Sequence, residues 1–511
     1  MLETRISTGL VRGKMTDTEG IVSFLGIPFA APPVGELRWR APEKPQPWEG
    51  VRDCFDYGYS CWQRDNSQSP YILKCMAENP VKPRPLRMSE DCLYLNVWTP
   101  AEALERGEAG TKCAVAMGEK LPVMVWFYGG GLQGGTTDDL IFDGEGLCQY
   151  GVILVTANYR TGVFGYFGHP DLEKENVHHA TGNYGLMDQI AALQWVHDNI
   201  EAFGGDPGNV TIFGCSGGGR SVQGLACSPL AEGLIHHAVC HSAGGLNPNY
   251  SLPYSKLKAR GEEFVRFCGL STIEEMRALP AEKLQEIYNG FGFDRWFNIT
   301  GDGWTLPVTM DEMVRQGRQQ DLDYILSTTL NEIRWPLRAP VTVANFKDHK
   351  FGERTEIFGK SVTPTTDEQA THYAEWCESY EMKAAQLAWA KVQANQPKKP
   401  VYLMSYDHPM PGTNLASHGD DQYYVFHTLK KFYFPSTEED DALSRVMMLR
   451  WTNFAKTGSP NAPGLPEWTP FTNESPLTMT VLSADDWQMK DRSVKEIDHL
   501  AEIYAKWESE E

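Results

Sequence analysis

The chain has 511 residues, 41% hydrophobic and 22% charged, with 15 Trp, 21 Tyr and 22 Phe, which is ample material for a large buried core and excludes a disordered chain. Lys and Arg number 46 against 67 Asp and Glu, and the resulting net charge of −21 disfavours nucleic acid and anionic membrane surfaces as partners and reads chiefly as solubility, a field that attracts cationic substrates being the sharper alternative. No stretch reaches the roughly 18 continuous apolar residues of a membrane span, and "MLETRISTGLVRG" has no apolar segment of a secretion signal, so the expected location is cytoplasmic unless a leader precedes it.

In chain order, "LPVMVWFYGGG" (121–131) is a strand running into glycines and "GVILVTANYR" (151–160) a second apolar strand. "MDQIAALQWVHDNIEAFGG" (187–205) carries Ile190, Leu193, Val196 and Ile200 at helical spacing and is closed by Gly204 and Gly205. "NVTIFG" is a third strand, "RSVQGLACSPL" a helix as far as Pro229, and "DYILSTTLNE" (323–332) and "PVYLMSYDH" (400–408) are later strands separated by long insertions. Near-continuous apolar strands alternating with helices predict an α/β fold, with a large, mostly parallel sheet covered on both faces. With no linker, repeat or low-complexity tract, residues 1–511 read as one domain. Eleven cysteines is an odd number, so at least one is unpaired within the chain, and most are expected to be reduced. No CxxC pair or i, i+4 histidine pair supports a metal site.

Gly214-Cys215-Ser216-Gly217-Gly218 fits G-x-S-x-G, a strand-to-helix turn that holds a serine in a strained conformation above the sheet. The pattern alone is also that of a plain structural turn; the strand before it and the helix after it supply the required context. At such a turn only the apex side chain projects towards substrate, so Ser216 is the candidate nucleophile and Cys215 points away into the supporting structure. A serine hydroxyl needs a base and an orienting acid, which in this architecture follow it in the order acid, then histidine. Seven of the 13 histidines come too early in the chain. Of the later ones, His418 in the small-residue loop "NLASHGDDQYYVF" can reach across to the serine, whereas His408, wedged before Pro409, reads as structural. Glu332 lies just past a strand end and is the candidate acid, a solvated loop glutamate being the plain alternative; Asp321 and Asp323 precede that strand. Gly129, Gly130 and Gly131 end a strand, and their amides, with that of Gly217, can stabilise an oxyanion. A phosphate loop is disfavoured because no Lys-Ser/Thr pair follows.

These residues resemble the type-B carboxylesterases, a family that includes cholinesterases and bacterial p-nitrobenzyl esterases on the α/β-hydrolase fold. "SEDCLYLNVWTP" (89–100) and "FGGDPGNVTIFGCSGG" (203–218) are similar to its two signatures, and "LGIPFAAPPVGELRWRAP" (25–42), "GNYGLMDQIAALQWVHDNI" (182–200) and "WTNFAKTGSPN" (451–461) to further stretches in the same order. The resemblance implies Ser216, Glu332 and His418 as catalytic residues and Gly130, Gly131 and Gly217 as oxyanion donors. It also implies Ser242, in "CHSAGG", as a supporting serine near the acid, and Cys61 with Cys92 as the counterpart of a bridged pair in secreted members, a bond left undecided here.

The chain departs from the family pattern at "GCSGGG", where "GESAGG" is usual, and at Asn331-Glu332-Ile333, where D-E-G is usual. Losing the acid before the serine disfavours choline esters. Arg220, a cation opposing the dipole of its own helix, is expected either to form a salt bridge or to lend positive potential to the pocket. The expected activity is cofactor-free hydrolysis of small-molecule carboxylic esters by a monomer or homodimer. A thioesterase, amidase or carbamate hydrolase would use the same residues, and a non-catalytic binding protein is the alternative from another class.

Overall fold

The computed structural model describes residues 2–65, 85–104, 120–248, 250–292, 295–332, 341–346, 363–431 and 435–506. Its centre is an 11-stranded sheet whose strands we label in chain order. They are β1 (Lys14–Met15), β2 (Ile21–Pro28), β3 (Tyr94–Pro100), β4 (Leu121–Phe127), β5 (Ile153–Ala157), β6 (Gly205–Cys215), β7 (His237–His241), β8 (Asp323–Thr329), β9 (Val401–Tyr406), β10 (Leu477–Val481) and β11 (Trp487–Asp491). The spatial order is β1-β2-β3-β5-β4-β6-β7-β8-β9-β10-β11. From β5 through β10 every neighbouring pair is parallel, while the pairs at the two margins are antiparallel. Three short strands, Glu3–Ile6, Gly9–Arg12 and Val51–Asp53, form a separate small sheet.

The central strands are buried along their length, as sequences such as "ILVTA" and "DYILSTT" require when helices cover both faces. Four of the five strand runs read from sequence are shorter here, whereas "NVTIFG" lengthens to Gly205–Cys215. Residues 128–131 and 158–160 leave the sheet, and Gly205 opens β6 instead of closing the preceding helix, α1 (Tyr184–Asn199), which a 3-10 turn and left-handed Gly204 terminate. Three further helices frame the site: α2 (Gly217–Cys227), α3 (Asp367–Ala394) and α4 (Glu438–Thr457). Because β4 and β6 to β9 run parallel, their carboxyl ends deliver five loops to one edge, where ligands gather in sheets of this kind.

Cys61 and Cys92 are both buried without a disulfide. Their thiols are hydrogen-bonded, and that bond together with burial pushes Cys92 well above the ordinary thiol value. Among the described residues no helix is long and apolar enough to cross a membrane, and no His/Cys/Asp/Glu group is arranged to hold a metal.

Candidate active site

Ser216 sits between β6 and α2 with φ 57° and ψ −121°, a left-handed conformation that a side chain adopts only under constraint. The constraint is close packing through glycine. A Cβ on Gly218 would lie 2.0 Å from the Phe127 carbonyl oxygen, and one on Gly129 would lie 2.7 Å from that of Cys215. The turn is pinned by the Ser216 amide donating to the His241 carbonyl at 2.9 Å and by the Arg220 amide donating to the Ser216 carbonyl at 3.1 Å. Cys215, by contrast, is buried in the hydrophobic core.

The glycine loop after β4 lies against this turn. Gly130, Gly131 and Leu132 all have positive φ (105°, 64° and 67°), which turns successive amides in one direction. A Cβ on Gly217 would meet the Leu132 nitrogen at 2.7 Å and the Gly131 nitrogen at 2.9 Å, so the amide edge of the loop and the start of α2 converge. The amides of Gly130 and Gly131 donate to no acceptor among the described residues, and Gly217, at the first helical position, has no partner within the helix. The helix dipole adds positive potential at the same point.

Glu332 follows β8 and is buried. Its Oε1 accepts the Thr329 amide at 2.7 Å, and its Oε2 meets His418 Nδ1 at 2.6 Å. A bridge between Asn331 and Ser417 and the Asn331 amide on the Ala416 carbonyl at 2.9 Å lock the two loops side by side. Lys383 of α3 donates to the Leu330 carbonyl at 2.7 Å, and burial pushes its ammonium down to about 8. Residues 333–340, Ile333 among them, lie outside the described residues. Ser216 Oγ and His418 Nε2 are not hydrogen-bonded to each other; such bonds often close only around substrate. Ser242 directly follows β7 with φ 47°, and its buried hydroxyl makes no hydrogen bond among the described residues.

Other sequence readings are resolved by their surroundings. His408 is held by the Leu482 carbonyl at 2.9 Å and by Asp440 at 3.2 Å, a structural role. Asp323 bonds His237 at the opposite edge of the sheet. Arg220 forms no salt bridge among the described residues, which corrects the first of the two expectations for it; its Nη1 donates to the Asn298 amide oxygen at 3.3 Å.

A second buried cluster escaped the sequence reading, which set His241 aside as too early in the chain. His241 Nε2 accepts the Trp451 indole N–H at 3.0 Å, so its proton resides on Nδ1, which donates to Asp421 at 2.6 Å; the Ser327 hydroxyl donates to the same carboxylate oxygen at 3.0 Å. Burial opposes ionisation of Asp421, and its partners more than offset this, holding the carboxyl below its usual value. Since His241 is the residue whose carbonyl holds Ser216, the cluster braces the turn from beneath. The one sequence signal for it is the acidic pair Asp420-Asp421 directly after His418-Gly419.

Residues 2–497 match the model of the carboxylesterase family. The chain is 31% identical to liver carboxylesterase 1 of Oryctolagus cuniculus, over 98% of this chain and 92% of that protein. It is 32% identical to cocaine esterase of Homo sapiens, over 91% and 85% respectively. Among solved structures, a PNB esterase superposes with a TM-score of 0.79 at 28% identity, covering 98% of this chain and 99% of its own. A Geobacillus stearothermophilus carboxylesterase superposes with a TM-score of 0.80 at 28% identity, covering 98% and 100%.

Proposed function

This chain belongs to the carboxylesterase family and is a serine hydrolase of carboxylic esters with the α/β-hydrolase fold, and we propose that Ser216, His418 and Glu332 carry the reaction. The observation that supports this most is the 2.6 Å contact between the buried Glu332 carboxylate and His418 Nδ1, at the edge of the sheet where Ser216 is held in its left-handed turn. With Nδ1–H committed to Glu332, the lone pair of Nε2 is available to take the Ser216 proton. The hydroxyl oxygen attacks the ester carbonyl, and the amides of Gly130, Gly131 and Gly217 stabilise the oxyanion that develops. The imidazolium then protonates the departing alcohol. Water, giving a proton to the same nitrogen, then attacks the acyl carbonyl, and as the tetrahedral adduct collapses the imidazolium hands that proton to the departing Ser216 oxygen, releasing the acid and restoring the free hydroxyl and the neutral ring.

In this reading Cys215 and Ser242 support the turn and do not react, residues 1–511 act as one domain, and no cofactor takes part. Sedimentation decides between monomer and homodimer, and fractionation of the producing cell tests the cytoplasmic location. The site itself is tested with a fluorophosphonate, locating the adduct by mass spectrometry and following hydrolysis of p-nitrophenyl esters of graded acyl length. A stoichiometric adduct on Ser216 with loss of esterase activity is expected; an adduct elsewhere, or none, overturns the assignment.

A further inference from the structure

Arg220 lies one helical turn beyond Ser216 on α2, its amide bonded to the Ser216 carbonyl at 3.1 Å. Side chains on a helix lean towards its N-terminus, so the arginine leans over the turn that carries the serine. A guanidinium offers five N–H donors. Here Nη1 makes a long bond to Asn298 at 3.3 Å, and the cation lies over the Tyr250 ring, 5.7 Å from its centroid. Nε and Nη2 have no hydrogen-bond partner among the described residues, yet neither is sealed from solvent as Arg160 Nη1 and Arg450 Nε are. Elsewhere in this protein the same Nε/Nη2 fork grips a carboxylate: Arg160 holds Asp188 at 2.8 and 2.7 Å, and Arg38 holds Glu90 at 2.7 and 2.6 Å.

Among the described residues the groups that face Arg220 are neutral, namely Asn298 and the phenols of Tyr250, Tyr166 and Tyr159. Burial pushes its guanidinium down from the usual value, and among the described residues only the three tyrosines, no carboxylate, oppose it. The residue before the serine is a buried cysteine, not an acid. The segment that holds Arg220 also borders the oxyanion loop. Gln133 donates to the Phe297 carbonyl at 3.0 Å, and Trp296 would lie 3.8 Å from a Cβ on Gly131.

We propose that the open Nε/Nη2 fork of Arg220 binds a carboxylate carried by the ester substrate, so that this enzyme prefers anionic esters such as half-esters of dicarboxylic acids. This rests on the hydrolase reading above. Four residues of helix rise by about 6 Å, so the two residues are near enough for one short dicarboxylic half-ester to reach both.

The test compares kcat/KM for the mono-4-nitrophenyl ester of adipic acid with that for 4-nitrophenyl hexanoate. A second pair, 4-carboxyphenyl and 4-acetylphenyl hexanoate, moves the charge to the alcohol side. The wild type is expected to favour the anionic member of at least one pair, and that pair identifies the side the arginine reads. Arg220→Met lowers the anionic-to-neutral ratio at least tenfold, and Arg220→Lys, a point charge without the fork, lies between. Independently of any variant, adipate inhibits wild-type hydrolysis of the neutral ester competitively, and 1,6-hexanediol at the same concentration does not. Ratios unchanged within twofold in Arg220→Met, or equal inhibition by the acid and the diol, overturn the proposal. No hydrolysis of any of the four esters, with no fluorophosphonate adduct on Ser216, overturns the hydrolase reading instead.

Discussion

Glu332→Gln changes almost nothing in volume, yet the surroundings of this side chain leave the amide no good orientation. The two carboxylate oxygens accept the Thr329 amide at 2.7 Å and His418 Nδ1 at 2.6 Å, and the side chain is fully buried. Glutamine has one acceptor where glutamate has two. If its oxygen faces His418, its NH2 opposes the Thr329 N–H at a fully buried position, at a cost of about 1–3 kcal/mol. If its oxygen keeps the Thr329 amide, its NH2 donates to Nδ1 and forces the imidazole proton onto Nε2, where Ser216 needs a lone pair. The second arrangement prevails, and the ring is held in the wrong tautomer. The lost charge adds to this: an imidazolium and a carboxylate about 4 Å apart at an effective dielectric near 20 attract by about 4 kcal/mol, or roughly a thousandfold in rate. Glu332→Gln is therefore expected to lose about 10³ to 10⁴ in kcat with KM within about threefold. Stopped-flow acylation by p-nitrophenyl acetate and the rate of fluorophosphonate labelling measure it. A variant that keeps more than about a tenth of wild-type kcat refutes the reasoning.

Gly217→Ala places a Cβ 2.7 Å from the Leu132 nitrogen and 2.9 Å from that of Gly131, so the oxyanion loop must retreat by several tenths of an ångström. A kcat loss of about 10- to 100-fold at nearly constant KM is expected, and unchanged steady-state kinetics would show that these amides do not face the oxyanion. Ser216→Ala should cost about 10⁴ to 10⁶ in kcat, whereas Cys215→Ala keeps most activity; the opposite result would make the cysteine the nucleophile. Ser216→Gly, equally inactive, relieves the left-handed strain at φ 57° and should raise stability to urea by about 1 kcal/mol over Ser216→Ala. Asp311 is raised by burial from 3.8 to about 8, against the pull of Arg315, so its contribution to stability is full below pH 4 and is lost as pH rises through 8. Asp311→Asn should flatten that slope and be the more stable protein at pH 8 by a few kcal/mol; parallel urea-midpoint profiles between pH 4 and 8 would contradict this.

Much of this molecule is legible locally. Apolar runs rich in β-branched and aromatic residues, such as "ILVTA" and "VYLMSY", read as strands buried on both faces and are so in the structure, and the glycines around Ser216 mark a turn where backbone approaches backbone, as the 2.0 Å clearance at Gly218 shows. Glu332 and His418 could be chosen because each follows a strand in a short loop of known chain order. The ends of elements were less legible. Whether Gly205 closes a helix or opens a strand depends on its pairing with Leu121, which no local pattern contains.

The sequence by itself determined the fold class, the turn that carries Ser216 and the candidate residues, because periodicity and glycine spacing are properties of neighbours along the chain. Only the tertiary structure decided which charges meet. His418 and Glu332 are 86 residues apart, and His241 and Asp421 are 180 apart. Their contacts are set by the order and register of parallel strands. Among the described residues the same packing left Arg220, a residue that reads as half of a salt bridge, beside an amide and three phenols instead of a carboxylate. A cation's partner is fixed by whatever the fold brings within about 4 Å of it, and that distance is not a property of the chain in one dimension.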